Sequence, residues 1–234
     1  MMVFDLDPGP PANIVQCAQV GIWLREVFEH FGLQSFPKTS GSKGLQIYVP
    51  LNTPTSYEDT KPFAHALARL LEDQHRDLVV SDMKKELRKG KVLVDWSQND
   101  EHKTTIAVYS LRAREHPTVS TPVKWEEVEQ LLKKKEPGLL VFEAGQVLKR
   151  VEKMGDLFEP TVKLKQKLPK LASDVGASSS TSLGVGSARA ASEARGISAA
   201  AGDGLEIAAQ AGSRKKTAKR IGKKAVSGKK ARKI

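Results

Sequence analysis

The chain changes character near Leu171. From about Ala172 to Ser213 it is dominated by Ala, Ser and Gly, has no aromatic residue and carries few large aliphatic ones. Such a stretch buries too little apolar surface to offset the entropy of ordering it. Any stable core must therefore be built within residues 1–171, and 172–213 is read as a disordered linker. Residues 214–234 form a basic tail with eleven Lys and Arg and no acid.

Charge follows the same boundary. The whole chain holds 38 basic and 27 acidic residues, so removing the tail's eleven leaves 27 against 27. The net charge of +11 therefore belongs to the tail, and the body is neutral. A basic tail of this kind suits non-specific, salt-sensitive contact with nucleic acid phosphates. The single cysteine, Cys17, lies in an apolar helical pattern; this excludes disulfide staples and cysteine-based metal sites and makes it a small core residue. No stretch approaches the roughly 20 apolar residues needed to span a bilayer, and Met1-Met2-Val3-Phe4-Asp5 lacks the regions of a signal peptide. The expected location is the cytoplasm, in association with the nucleoid.

Periodicity in the body gives an α+β class: a mainly antiparallel sheet with flanking helices. A short strand at Val3–Asp7 is stopped by Pro8-Gly9-Pro10-Pro11. A helix follows, with apolar positions from Ile14 to Phe31 and Gly32 at its end. Strands at 34–38 and 45–51 flank a glycine-rich turn, and a second helix runs from an N-cap near Ser56 to about His75, with Phe63, Leu67, Leu70 and Leu71 inward. The runs 92–96 and 104–109 have the β-branched content of strands and are expected to pair as a hairpin. Helices near 125–134 and 144–154 close the body.

Asp5 and Asp7 are one residue apart, so on a strand both carboxylates face one side and can share a hard divalent ion such as magnesium or manganese. They can equally be solvated acids at a strand end. Asp95 ends the apolar run Val92-Leu93-Val94, where an unpartnered carboxylate is costly to bury. It is either a third metal ligand, which would suit two-metal nucleotidyl transfer, or a cap on the following turn. The turn Ser40-Gly41-Ser42-Lys43-Gly44 offers backbone N–H groups, two hydroxyls and an ammonium, a set suited to a triphosphate, although a plain hairpin turn has the same composition. Lys38, Arg88, Lys91, Arg112 and Arg114 are candidates for phosphate or template contacts. None of the five histidines has metal-ligand spacing.

Taken in order, the following segments resemble the polymerase domain of bacterial ligase D, of the archaeo-eukaryotic primase superfamily: Phe4-Asp5-Leu6-Asp7-Pro8; Lys38-Thr39-Ser40-Gly41-Ser42-Lys43-Gly44-Leu45 with Tyr48-Val49-Pro50-Leu51; and Val94-Asp95-Trp96-Ser97-Gln98-Asn99. Lys103-Thr104-Thr105, Tyr109-Ser110-Leu111-Arg112 and His116-Pro117-Thr118-Val119 extend the likeness, which covers roughly Val3 to Leu171. The resemblance implies a primase-polymerase that adds nucleotides, preferentially ribonucleotides, to primer or broken DNA ends in non-homologous end joining. It implies Asp5, Asp7 and Asp95 as catalytic ligands of Mn2+ or Mg2+. Ser40, Lys43, Gly44, Gln46 and Arg112 would bind the incoming nucleoside triphosphate, with Gln98 close to it, and Arg88 and Lys91 would bind DNA. Expected partners are DNA ends or primer-template, Ku and an ATP-dependent DNA ligase, with no membrane.

Two departures from the family pattern stand out. Gln46 occupies the place where members commonly carry histidine; it can hydrogen-bond to phosphate but cannot become cationic. Family domains also have a long segment before the Asp-x-Asp strand, whereas here four residues precede Asp5, so an amino-terminally truncated domain is expected. The alternative expectation is a catalytically impaired remnant that still holds DNA.

Overall fold

The computed structural model describes residues 1–169. The expected linker (172–213) and basic tail (214–234) lie outside the described residues. Strand β1 (Met2–Pro8) is central, paired antiparallel with β3 (Leu45–Val49) on one side and β5 (Val92–Asp95) on the other. Strand β2 (Phe36–Thr39) adds to β3, and β4 (Val79–Val80) adds to β5 in parallel, giving the order β2-β3-β1-β5-β4. The mainly antiparallel α+β class is the one expected, with one parallel pair at the edge.

Alternation along β1 divides the sheet into two chemical faces. Met2, Phe4 and Leu6 are fully buried, whereas Asp5 and Asp7 point the other way. The apolar face is covered by α1 (Ile14–His30) and α2 (Tyr57–Gln74). Helix α1 starts at a capping box, Asn13 accepting from Val15 N–H and Gln16 reaching back to Asn13 N–H. Its buried stripe, including Cys17, Leu24 and Phe28, packs on β1, with the Phe28 and Phe4 ring centroids 5.4 Å apart. Cys17 is thus a buried core residue. At the start of α2 the Asp59 carboxylate accepts from both the N–H and the hydroxyl of Ser56. Phe63, Leu67 and Leu71 face the core, but Leu70 is turned outward and 42% exposed, a correction to the expected stripe.

The expected hairpin of 92–96 with 104–109 does not form. Both edges of β5 are already taken, by β1 and by β4, so no donor or acceptor row remains for residues 104–109. That segment runs without regular structure to Tyr109, which has a φ of 64°. A separate ribbon of β6 (Leu111–Arg112) and β7 (Thr118–Val119) follows. Helices α3 (Trp125–Lys134) and α4 (Ala144–Met154) match the sequence reading, and a one-turn helix α5 (Pro160–Lys163) completes the described chain. Arg150 of α4 clamps Glu127 of α3 through two hydrogen bonds of 2.6 and 2.8 Å. Among the described residues, no helix is long and apolar enough to cross a membrane.

Candidate active site

Strand register assembles the polar face. Asp5 is directly opposite Gln46 on β3 and Asp95 on β5, and Gln46 is opposite Lys38 on β2. Directly opposed residues project to the same side of a sheet, so Lys38, Gln46, Asp5 and Asp95 form one row across four strands. Asp7 stands two residues along from Asp5 on the same face.

This row opens into a cleft of about 410 Å³ lined by Asp5, Asp7, Ser40, Lys43, Gln46, Arg88 and Arg112, with Thr104, Thr105 and Ile106 forming one wall. Five of the expected nucleotide and DNA residues therefore share a cavity with two of the expected carboxylates. The unpaired 104–109 segment supplies the wall because it is not held in the sheet.

The electrostatics of the floor are strained. Burial, then the Asp7 charge and the Asp95 charge, push the Asp5 carboxyl up to about 7, against the opposing pull of Gln46 and Lys38. Burial and Asp95 also raise Asp7, while Arg88 lowers it. Asp5 Oδ1 is buried without a hydrogen-bond partner. A desolvated carboxylate beside two others, with an unpartnered oxygen, has the donor chemistry that a hard divalent cation neutralises. As the side chains stand, however, no three His, Cys, Asp or Glu groups among the described residues close on one point. Asp95 Oδ1 accepts from the N–H and hydroxyl of Ser97, and its Oδ2 accepts from Gln98 Nε2 at 2.8 Å. Asp95 thus caps the 3-10 turn Trp96–Gln98 and stands opposite Asp5 in the strand register, outside the residues that line the cleft. Asp5 and Asp7 are the carboxylates that could hold a cation here, with Asp95 opposite Asp5.

The glycine-rich turn differs in detail from its expected form. Ser40 Oγ accepts from the N–H of Ser42 at 3.2 Å and of Gly44 at 3.1 Å, so these two amides are occupied within the turn. Gly44 contributes the absence of a side chain rather than a free N–H. The Ser40 hydroxyl proton and the Lys43 ammonium remain as the turn's donors toward the cleft. Arg114 donates to Ser42 Oγ from outside the turn.

Three further expectations are relocated. Gln98 reaches the site only through Asp95. The Lys91 ammonium donates to the backbone carbonyl of Arg76, away from the cleft lining. Lys38, a candidate for phosphate or template contact, is instead fully buried and donates to Gln46, Ile106 and Ser120. The sequence signal missed was Ser120, whose hydroxyl sits between Lys38 and the Thr39 carbonyl; a single serine after a short strand carries no pattern.

The protonation of Asp5 sets an expected pH dependence. Its folded value of about 7 lies above the ordinary 3.8, so the fold binds the proton more tightly than the unfolded chain does. Metal-free stability should fall as pH rises from about 4 to about 7, the window in which the folded state holds the extra proton. A cation must displace that proton below pH 7, so Mn2+ affinity should drop about tenfold per pH unit there and level off above it. Titration of free Mn2+ by electron paramagnetic resonance at pH 6, 7 and 8 checks this; equal affinity at pH 6 and 8 would contradict it.

Comparison with known proteins places this geometry. The family model described as LigD, primase-polymerase domain, matches residues 1–158. The multifunctional non-homologous end joining DNA repair protein LigD of Mycobacterium tuberculosis is 46% identical over 158 residues, covering 68% of this chain and 20% of that protein. The bifunctional non-homologous end joining protein LigD of Bacillus subtilis is 33% identical over 155 residues, covering 66% of this chain and 24% of that one. This chain thus spans about a fifth to a quarter of the length of these curated relatives. Among solved structures, the polymerase domain from Mycobacterium tuberculosis ligase D in complex with DNA matches with a TM-score of 0.64 and 44% identity, covering 70% of this chain and 55% of that one. With the family model matching well over half of its length, the chain belongs to the LigD primase-polymerase domain family.

Proposed function

We propose that this chain carries out metal-dependent nucleotidyl transfer, adding nucleotides, preferentially ribonucleotides, to a DNA primer or broken end during non-homologous end joining. The observation that carries this reading is the single cleft in which Asp5 and Asp7 form the floor and Ser40, Lys43, Arg88 and Arg112 the walls. An acidic floor facing cationic walls suits a polyphosphate whose reacting phosphorus must approach carboxylates. The DNA bound by the related mycobacterial polymerase domain is the substrate class taken over here.

Mn2+ or Mg2+ held by Asp5, Asp7 and Asp95 would supply charge neutralisation at the reacting phosphate and activation of the attacking hydroxyl. The protein's own residues do the positioning. Ser40, its oxygen already accepting two turn amides, has its proton free to donate to a phosphate oxygen. Lys43 and Arg112 line the same wall and hold the nucleotide's negative charge. Arg88, beside Asp7, is placed for the template or primer backbone. Lys91, outside the cleft, serves at most as a flanking DNA contact. Ligation and end recognition would come from an ATP-dependent DNA ligase and Ku, acting where DNA is held, at the nucleoid in the cytoplasm.

A second reading has its own observation. Both Asp95 oxygens are engaged by Ser97 and Gln98, which favours a DNA-binding domain with impaired catalysis. Extension of a labelled primer-template with Mn2+ and ribonucleotides separates the two. Extension lost in both Asp5→Ala and Asp95→Ala supports the polymerase; a folded, DNA-binding wild-type chain that extends nothing supports the second reading.

Lys43→Ala tests the wall separately. If Lys43 holds the triphosphate equally in the ground and transition states, KM for the nucleotide should rise about tenfold with kcat little changed, the low end for losing a hydrogen bond to a charged group. Steady-state kinetics across nucleotide concentrations measure it, and an unchanged KM would remove Lys43 from the nucleotide site.

A further inference from the structure

Lys38 is the only lysine or arginine fully buried among the described residues. Burial pulls the Lys38 amino group down to about 7, and its charged form is tolerated only because its donors are satisfied. All three are used: on Gln46 Oε1 at 2.6 Å, Ser120 Oγ at 2.6 Å and the Ile106 carbonyl at 3.1 Å. The Ser120 hydroxyl donates to the Thr39 carbonyl at 2.9 Å, so its lone pair is left to accept from Lys38.

The consequence falls on Gln46. Its side-chain oxygen accepts from Lys38 Nζ and, at 3.3 Å, from the Tyr48 hydroxyl. An amide whose oxygen faces two donors must turn its NH2 the other way. Directly opposite Gln46 in the strand register stands Asp5, so the NH2, the amide's remaining end, is what Gln46 presents to that carboxyl. The amide is therefore committed on both ends: oxygen toward Lys38, nitrogen toward Asp5.

We propose that Lys38 and Gln46 are positioning residues for the carboxylate platform: the Lys38 ammonium fixes the Gln46 amide so that it holds Asp5 for a divalent cation rather than contacting the nucleotide's phosphates. The same ammonium, through the Ile106 carbonyl, pins the 104–109 wall of the cleft to the carboxylate row. This assignment rests on the nucleotidyl-transfer reading for its purpose, but its geometry is testable without turnover. Partners that orient a metal-holding side chain commonly govern metal affinity by 10- to 100-fold, roughly, when removed.

The test uses the full chain. In nitrogen-15 spectra, the Gln46 NH2 pair is assigned by its loss in Gln46→Leu. It should exchange at least about tenfold more slowly than exposed glutamine amides, and Lys38→Met should return it to free-amide behaviour. Mn2+ titration by electron paramagnetic resonance should show about tenfold weaker binding in both variants, with nucleotide affinity in the absence of metal unchanged in Gln46→Leu. Should Lys38→Met not fold, Tyr48→Phe, which removes only the longer contact, should give a smaller loosening of the Gln46 amide. A freely exchanging Gln46 amide in the wild-type chain overturns the proposal. So does a Gln46→Leu variant that binds Mn2+ normally and loses nucleotide affinity instead. A wild-type chain with the amide protected and Mn2+ bound, yet no extension, would sink the polymerase reading and leave this positioning role standing.

Discussion

Asp5→Asn should raise the melting temperature at pH 8 by roughly 5 °C while lowering primer extension by about a thousandfold or more. The two effects have one cause. Asp5 is desolvated beside Asp7 and Asp95, and its Oδ1 has no partner, so its ionised form is disfavoured in the metal-free fold. Asparagine keeps the shape, removes one of the three clustered charges and presents an NH2 to the two carboxylates that remain. Stability gained by neutralising a functional charge is the expected exchange at the proposed cation site. The sign depends on pH. With a folded value of about 7 and an ordinary value of 3.8, the penalty is complete above pH 7 and gone only below about pH 4, so the stabilisation should be clearly smaller at pH 5 than at pH 8. Thermal melts at pH 5 and pH 8 without metal, alongside extension assays with Mn2+, measure both halves. Equal melting at pH 8 would show that the Asp5 charge is not a burden to the fold; retained extension would remove Asp5 from the chemistry.

Much of this arrangement was legible in the sequence where a local rule governs it. The Asp5-x-Asp7 spacing fixes a common face on any strand, and the stripe Phe63, Leu67, Leu71 fixes the inward side of α2. The capping residue Ser56 and the stop at Gly32 bound their helices by chemistry confined to a few neighbours. What could not be read depends on pairing between distant segments. Residues 104–109 have strand composition but no strand, because Val79–Val80, too short to show a pattern, takes the edge of β5 that they would need. Lys38 reads as surface charge from its type alone. Its burial follows from the register that sets it opposite Gln46 and from Ser120, 82 residues away, arriving to accept its hydrogen bond. Likewise Asp95 was readable as a ligand or a cap; the structure shows it capping Ser97 while facing Asp5, and only the register puts the two carboxylates opposite each other.

Gly44→Ala should destabilise the fold by about 3 kcal/mol and lower the melting temperature by roughly 8 °C, with extension reduced at temperatures where the protein is still folded. A Cβ at Gly44 would lie 2.3 Å from the Leu6 carbonyl oxygen and 3.6 Å from Asp7 Oδ1. The clash is with backbone, and that backbone cannot yield cheaply because β1 is hydrogen-bonded to β3 on one side and β5 on the other. Gly44 cannot retreat either: its N–H is held by Ser40 Oγ and its carbonyl accepts from Ser40 N–H at 3.0 Å. The methyl must therefore force β1 and β3 apart at the point where Asp7 and the Ser40 turn face each other, separating the acidic floor from the proposed phosphate-binding wall. Gly138→Ala is the matching control, since a Cβ there meets nothing within 4 Å, and it should shift stability by no more than about 0.5 kcal/mol. Comparing the melts of the two variants isolates the contact from the general effect of replacing glycine. If Gly44→Ala melts with Gly138→Ala, the strands have room to part, and the close approach of turn to β1 is not what holds Ser40 and Lys43 over Asp5 and Asp7.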